Sequence, residues 1–265
     1  MHPRRSYSRW RLLIAAPRVG AENMARDTAL QARAARTGET VFSIYSWSRP
    51  TLSFGRNQPA FGLYDLGKIG AGGIDVVRRP TGGRAILHHR EVTYSVTAPL
   101  KDASPLRETY SRINRILQTG LSQLGVLVEP IPRSLPTRRP GVRSCFETPG
   151  EGELVAHGSK LVGSAQWRDD CALLQHGSIL VDDDQSTLPV LAAGAQTVSE
   201  SVPVPATLHA LLGRSPDASE VASAMFYAVR LLEDADATEL VEDDVRDETL
   251  KHLQHFLDED WTWRR

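Results

Sequence analysis

The chain has 265 residues, 31 basic and 32 acidic side chains, and a formal net charge of −1. That balance excludes a protein built mainly to grip nucleic acid or an anionic membrane. Apolar residues make up 41 % of the chain, enough for a sizeable core, and no apolar run approaches the roughly 20 residues that cross a bilayer.

Near the start, Arg4, Arg5, Arg9 and Arg11 precede Leu12 to Ala16, an apolar stretch too short for an export signal and ended by Pro17. Without such a signal the expectation is a soluble cytoplasmic protein in which Cys145 and Cys171 are free thiols. Trp10 to Ala16 reads as a strand. Ala21 to Arg36 reads as a helix with Met24, Thr28, Ala32 and Ala35 on its inner face. Val41 to Trp47 and Ile74 to Arg79 read as strands, and Ile86 to Val96 as one further strand after Gly82-Gly83.

Ser104-Pro105 predicts the start of a helix, by an N-cap followed by proline, with Tyr110, Ile113, Leu117, Leu121 and Leu124 inward and Gly125 closing it. Pro130 to Cys145 holds Pro132, Pro136 and Pro140 among Arg133, Arg138, Arg139 and Arg143, and reads as a basic loop. Strands return at Leu154–Ala156, Lys160–Trp167 and Leu173–Val181. After Pro205 the pattern turns helical. Ser215-Pro216 is expected to cap a helix with Val221, Met225, Ala228 and Leu232 inward, and a last helix carries Val245, Leu250, Leu253 and Leu257. The fold class is mixed α/β (α+β), with one domain over residues 1–205 and a helical segment, 206–265, packed on it.

Three segments could carry chemistry. In Arg78-Arg79-Pro80-Thr81-Gly82-Gly83-Arg84, paired glycines between strands let the backbone approach a ligand, and the arginines supply positive charge. The alternative is a plain β-turn with solvated arginines. The spacing fits neither a Walker loop nor a dinucleotide fingerprint. In the second, Lys160 stands in an apolar strand beside Gly163, Ser164, Ala165 and Gln166, where an ammonium could stabilise an anion; the alternative is an edge lysine in water. The third is Cys145 on the arginine-rich loop, whose nearby cations favour the nucleophilic thiolate; the alternative is a small buried hydrophobe. His176 reads as a hydrogen-bonded core histidine. His252 and His255 share a helix face but make too small a ligand set, so no metal is expected.

Taken in order, Gly20 to Asp27, Trp47 to Gln58, Arg78 to Arg84 with His88, Lys160 to Gln166, and Gln175 to Leu180 resemble the catalytic domain shared by lipoate–protein ligases, octanoyltransferases and biotin–protein ligases. Biotin ligases fit less well, because no Gly-Arg-Gly-Arg type loop is present. Cys145 stands 15 residues before Lys160 (160 − 145), and the loop reads Gly82-Gly83-Arg84, where ATP-dependent ligases usually have three glycines. The chain also stops about where the family's catalytic domain ends. These features resemble the octanoyltransferases that carry a loop cysteine.

The resemblance implies octanoyl transfer from acyl carrier protein to a lipoyl-domain lysine, such as that of the glycine-cleavage H protein, by a monomer that needs neither ATP nor metal. Cys145 would be the nucleophile, and Lys160 would favour its thiolate and stabilise the oxyanion. Arg78, Thr81, Gly82, Gly83, Arg84, His88, Gly163, Ser164, Ala165 and Gln166 would bind substrate, and the loop arginines would steer the acidic carrier. The alternatives are an ATP-dependent lipoate–protein ligase, an octanoyl amidotransferase acting between lipoyl domains, and a non-catalytic acyl-binding module.

Overall fold

The computed structural model describes residues 9–100, 105–131, 146, 152–194 and 204–264. In chain order the first half contains β1 (Trp10–Ile14), α1 (Gly20–Thr37), β2 (Thr40–Tyr45), β3 (Thr51–Phe54), α2 (Leu66–Ala71), β4 (Asp75–Arg78), β5 (Ile86–His88), β6 (Glu91–Pro99) and α3 (Leu106–Gln123). The second half contains β7 (Glu129–Pro130), β8 (Leu154–Ala156), β9 (Ser159–Arg168), β10 (Ala172–Leu180), α4 (Leu208–Leu212), α5 (Ala218–Leu232), β11 (Thr238–Glu239), α6 (Arg246–Leu257) and α7 (Glu259–Trp263). The class is mixed α/β, as the sequence pattern predicts.

Among the described residues, eight strands form one sheet in the order β11-β1-β2-β6-β10-β9-β8-β7, and β4-β3-β5 form a smaller one. The centre of the large sheet, β2-β6-β10-β9, is antiparallel throughout. One of its faces carries Phe42, Ile44, Tyr94, Val162 and Ile179 against α3 and α5. Each fully buried aliphatic side chain there stabilises the fold by roughly 1.5–3 kcal/mol. The other face, from Tyr45 to Gly163, is covered in part by α1, and α6 packs on the outside of α1.

Several boundaries differ from the sequence reading. Ile86 to Val96 is not one strand: a turn at His89-Arg90 divides it, β5 joining the small sheet and β6 the large one. In α1 the buried face is Asn23, Met24, Asp27, Leu30, Gln31 and Ala34, while Ala35 is exposed. Apolar spacing misplaces that face because its polar members are hydrogen-bonded inward, Gln31 to the Ala172 carbonyl at 3.1 Å and Asn23 to the Arg18 carbonyl at 3.2 Å.

Helix α3 starts one residue later than proline at its first position would require, with Pro105 as the cap; Ser104 lies outside the described residues. Helix α5 is capped by Asp217 rather than Ser215, its carboxylate accepting the Glu220 amide at 2.8 Å. Leu232, Leu250 and Leu257 are exposed, and Phe256 supplies the buried contact of α6. No helix among the described residues is long and apolar enough to cross a membrane.

Candidate active site

A cavity opens where β9, β10, β6 and β2 pass beneath α1 and beside the Gly82-Gly83 turn. Its cavity volume is about 90 Å³, a narrow space rather than a roomy pocket. Its lining joins residues far apart in sequence, including Met24, Trp47, Gly83, His88, Gly163 and His176.

Lys160 lies at the β9 end. It is 2 % exposed. Its Nζ donates to the Glu153 carboxylate at 2.6 Å and lies 4.6 Å from the centre of the Phe146 ring. The strand makes room for it at Gly163, where a Cβ would stand 3.0 Å from Lys160 Cε and 3.1 Å from Phe146 Cζ. Gly177, on the neighbouring strand, is more tightly constrained: a Cβ there would sit 2.3 Å from the Gly163 carbonyl oxygen.

Two buried histidine–carboxylate pairs flank the cavity. His176 reaches Thr81 Oγ1 through Nε2 at 2.6 Å and Asp27 Oδ2 through Nδ1 at 2.7 Å, and the Tyr45 hydroxyl donates to the same Asp27 oxygen at 2.9 Å. This chain of contacts ties the glycine turn to β10 and α1. His88 lies 2.7 Å from Ser53 Oγ and 2.9 Å from Glu91 Oε1, with its ring stacked on Trp47 at a centroid distance of 4.0 Å.

Burial pushes the His88 imidazole below its ordinary range, more than the Glu91 charge lifts it. Burial pushes Glu91 the other way, but the His88 contact and the hydroxyls of Thr93 and Ser178 hold its carboxyl below the usual value. The outcome is a neutral imidazole donating to a carboxylate. Glu91 also accepts from Trp47 Nε1 at 3.2 Å and from Thr93 Oγ1 at 2.5 Å.

The substrate residues expected from sequence fall into three positions. Gly83, His88, Gly163, Ser164 and Ala165 line the cavity. Thr81, Gly82 and Arg84 shape its rim: Thr81 holds His176, and the carbonyls of Gly82 and Arg84 accept from the Arg79 guanidinium at 2.9 and 2.7 Å. Arg78 and Gln166 stand apart from it. Arg78 is buried and donates to the carbonyls of Gly55, Gln58 and Thr262, a clamp between the loop and α7. Gln166 donates to Gln175. Cys145 and the arginines at 133, 138, 139 and 143 lie outside the described residues. Cys171 is a free, exposed thiol.

The lipoyl protein ligase A/B catalytic domain model matches residues 20–230, which spans the cavity and nearly all of the sheet that builds it. The chain belongs to the lipoyl protein ligase A/B catalytic-domain family. Among its curated relatives, an octanoyltransferase LipM of Symbiobacterium thermophilum is 43 % identical over 183 residues, 66 % of each chain. A LipM of Carboxydothermus hydrogenoformans is 40 % identical over 68 % of this chain and 67 % of that one. A third, from Kyrpidia tusciae, is 41 % identical over 68 % of each. The matches thus span about two thirds of these relatives, and with them the chain is an acyltransferase of this family.

The fold is shared with a bipartite lipoate protein ligase of Thermoplasma acidophilum, TM-score 0.78 at 19 % identity, covering 97 % of both chains. It is also shared with a lipoate-protein ligase A bound with ATP, TM-score 0.76 at 19 % identity, covering 96 % of this chain and 98 % of that one.

Sequence reasoning misses the Met24, Asp27, Tyr45, Trp47, Glu91, Thr93 and Glu153 contributions to the cavity and its surroundings. Asp27 in the middle of an amphipathic helix, beside the partly polar Asn23 and Gln31, is the one local signal that a buried partner waits for it. His176 is the hydrogen-bonded core histidine expected from sequence, and it also faces the cavity.

Proposed function

We propose that the protein is an octanoyltransferase that moves an octanoyl group from the thioester of acyl carrier protein to a lysine of a lipoyl domain, with the glycine-cleavage H protein as acceptor. The observation that carries this reading is a buried ammonium, Lys160, held over Gly163 at one end of a cavity in a chain about 40 % identical to LipM octanoyltransferases. Phe146, which follows Cys145 in sequence, rests its ring on that ammonium.

In this mechanism the Cys145 thiolate attacks the thioester carbonyl. The tetrahedral intermediate collapses with loss of the pantetheine thiolate, which takes up a proton, and the octanoyl group remains as a Cys145 thioester. The neutral amine of the acceptor lysine then attacks that carbonyl. Collapse releases the Cys145 thiolate, and the new amide nitrogen gives up its extra proton. Lys160 favours the thiolate by its charge and stabilises the oxyanion of both intermediates. Glu153 keeps the ammonium oriented, and Gly83 with the Gly163–Ala165 segment walls the acyl chain. The thioester is already activated, so this route consumes no ATP.

The test is transfer from octanoyl-acyl carrier protein to apo H protein without ATP, by the wild type and by Cys145→Ser. Transfer by the wild type and its loss in the variant are expected. A wild type that modifies H protein only with ATP and free lipoate, and a variant as active as the wild type, would make the protein a ligase.

A further inference from the structure

The backbone that supports the glycine turn is held from α7. Gly55 runs so close against the turn that a Cβ there would stand 2.1 Å from the Gly83 carbonyl oxygen. The Gly55 carbonyl accepts from Arg78 Nη1 at 2.7 Å, and Arg78 Nε donates to the carbonyls of Trp261 and Thr262 at 3.1 and 2.9 Å. The Trp261 indole nitrogen donates back to the Arg78 carbonyl at 2.9 Å. Helix α7 thus grips Arg78 by side chain and by backbone, and Arg78 grips the residue on which the turn rests.

A second connection runs from α7 to the lysine strand. The Arg56 guanidinium lies 4.0 Å from the centre of the Trp167 ring and 5.5 Å from that of Trp261. Arg264 lies 4.0 Å over the same Trp261 ring and donates to the Arg56 carbonyl. The Arg56 amide donates to the Thr81 carbonyl at 2.7 Å, just before the two glycines. Trp167 shares the β9 face of Gly163 and Ala165, by the two-residue period of a strand. Through Arg78 and Arg56, α7 therefore reaches both the turn that carries Gly83 and the strand that carries Lys160. The cavity lined by Gly83 and Gly163–Ala165 has only about 90 Å³, so a small shift of either wall changes its shape.

We propose that Trp261 is a positioning residue for acyl transfer, and that α7 is the strap that keeps the Gly82-Gly83 turn in register with the Lys160 strand. Trp261 does not line the cavity, so it acts only through Arg78 and Arg56. Helix α7 lies beyond residues 20–230, the stretch that matches the family's catalytic domain. A misplacement of about 1 Å at a reacting centre, caused from outside it, costs up to about 10²-fold in rate. The strap therefore acts on kcat, and not on stability alone. This inference rests on the acyl-transfer reading above, and not on which protein carries or accepts the group.

The experiment measures kcat and KM for octanoyl transfer, from acyl carrier protein and from an octanoylated lipoyl domain, for the wild type, Trp261→Phe and Arg264→Ala. Hydrogen exchange over residues 79–85 and the thermal midpoint are read beside the kinetics. Trp261→Phe keeps a ring against Arg56 and Arg264 and removes the hydrogen bond to the Arg78 carbonyl. It should lower kcat about tenfold, leave KM within about twofold, and speed exchange over 79–85 while β6 and β10 stay protected. Arg264 is exposed, so Arg264→Ala carries the test if Trp261→Phe is not folded. It should give the same exchange pattern with a smaller loss of kcat, about threefold. Wild-type kcat in a folded variant, with or without faster exchange over 79–85, would overturn the strap and leave acyl transfer standing. No transfer by the wild type from either donor would overturn both.

Discussion

The ammonium of Lys160 lies 3.2 Å from the point where a Cβ on Gly163 would stand, so the lysine occupies the space that the glycine leaves. Gly163→Ala must therefore move Lys160 or Phe146 by a few tenths of an ångström. Both are side-chain ends that can shift, so the thermal midpoint should change little. The kcat should fall at least about tenfold, because an oxyanion donor acts only at its correct distance. Steady-state kinetics beside a melting curve separate the two effects.

Gly177→Ala should behave in the opposite way. Its Cβ would meet the Gly163 carbonyl oxygen at 2.3 Å and Tyr94 Cε1 at 2.7 Å, in the centre of the sheet where backbone cannot retreat. A loss of about 1–3 kcal/mol or more is expected from overpacking alone, read by urea unfolding.

Removing the Lys160 charge by Lys160→Met should lower kcat by about 10²–10³, the usual cost of losing one oxyanion-stabilising group. The same change leaves the Glu153 carboxylate without its 2.6 Å partner. Adding Glu153→Gln should recover stability and not activity, a split that a purely structural role for Lys160 would not produce.

The His88–Glu91 pair gives a pH dependence of definite sign. Burial sets the folded His88 below its ordinary value of 6.5, so as pH falls through 6.5 the unfolded chain takes up a proton that the folded chain refuses. Stability present above pH 6.5 is then lost on acidification toward the folded value, with a slope of at most about 1.4 kcal/mol per pH unit from this group. His88→Gln, which can still donate to Glu91 and accept from Ser53, should flatten that part of the profile. Thermal midpoints measured at closely spaced pH values between neutrality and the acid limb check it.

Much of the fold is legible in the sequence because period-two and helical patterns report burial directly. Val41, Ser43 and Tyr45 alternate with Phe42 and Ile44, and β2 presents the first set to the cavity side and the second to α3 and α5. The pattern fails where buried positions are polar. The inner face of α1 is written in Asn23, Asp27 and Gln31, whose burial depends on partners tens of residues away or more. The β5–β6 boundary is invisible for a similar reason: His88 and Glu91 look like the middle of one strand until both turn inward onto one another.

The glycine turn and the lysine strand are legible as motifs, and the cavity brings Gly83 and Gly163–Ala165 together. Arg78 illustrates the limit of motif reading. It shares the loop's basic character, but its guanidinium is spent on carbonyls of Gly55, Gln58 and Thr262 on the far side. Only three-dimensional contacts separate it from Arg79, which pins the turn itself.

The most direct measurement is the intact mass of the protein after incubation with octanoyl-acyl carrier protein in the absence of ATP. A hydroxylamine-labile octanoyl adduct is expected, mapping to Cys145, absent in Cys145→Ser, and discharged when apo lipoyl domain is added. An unmodified protein under those conditions, with lipoyl-domain modification appearing only when ATP and lipoate are supplied, would contradict the thioester mechanism.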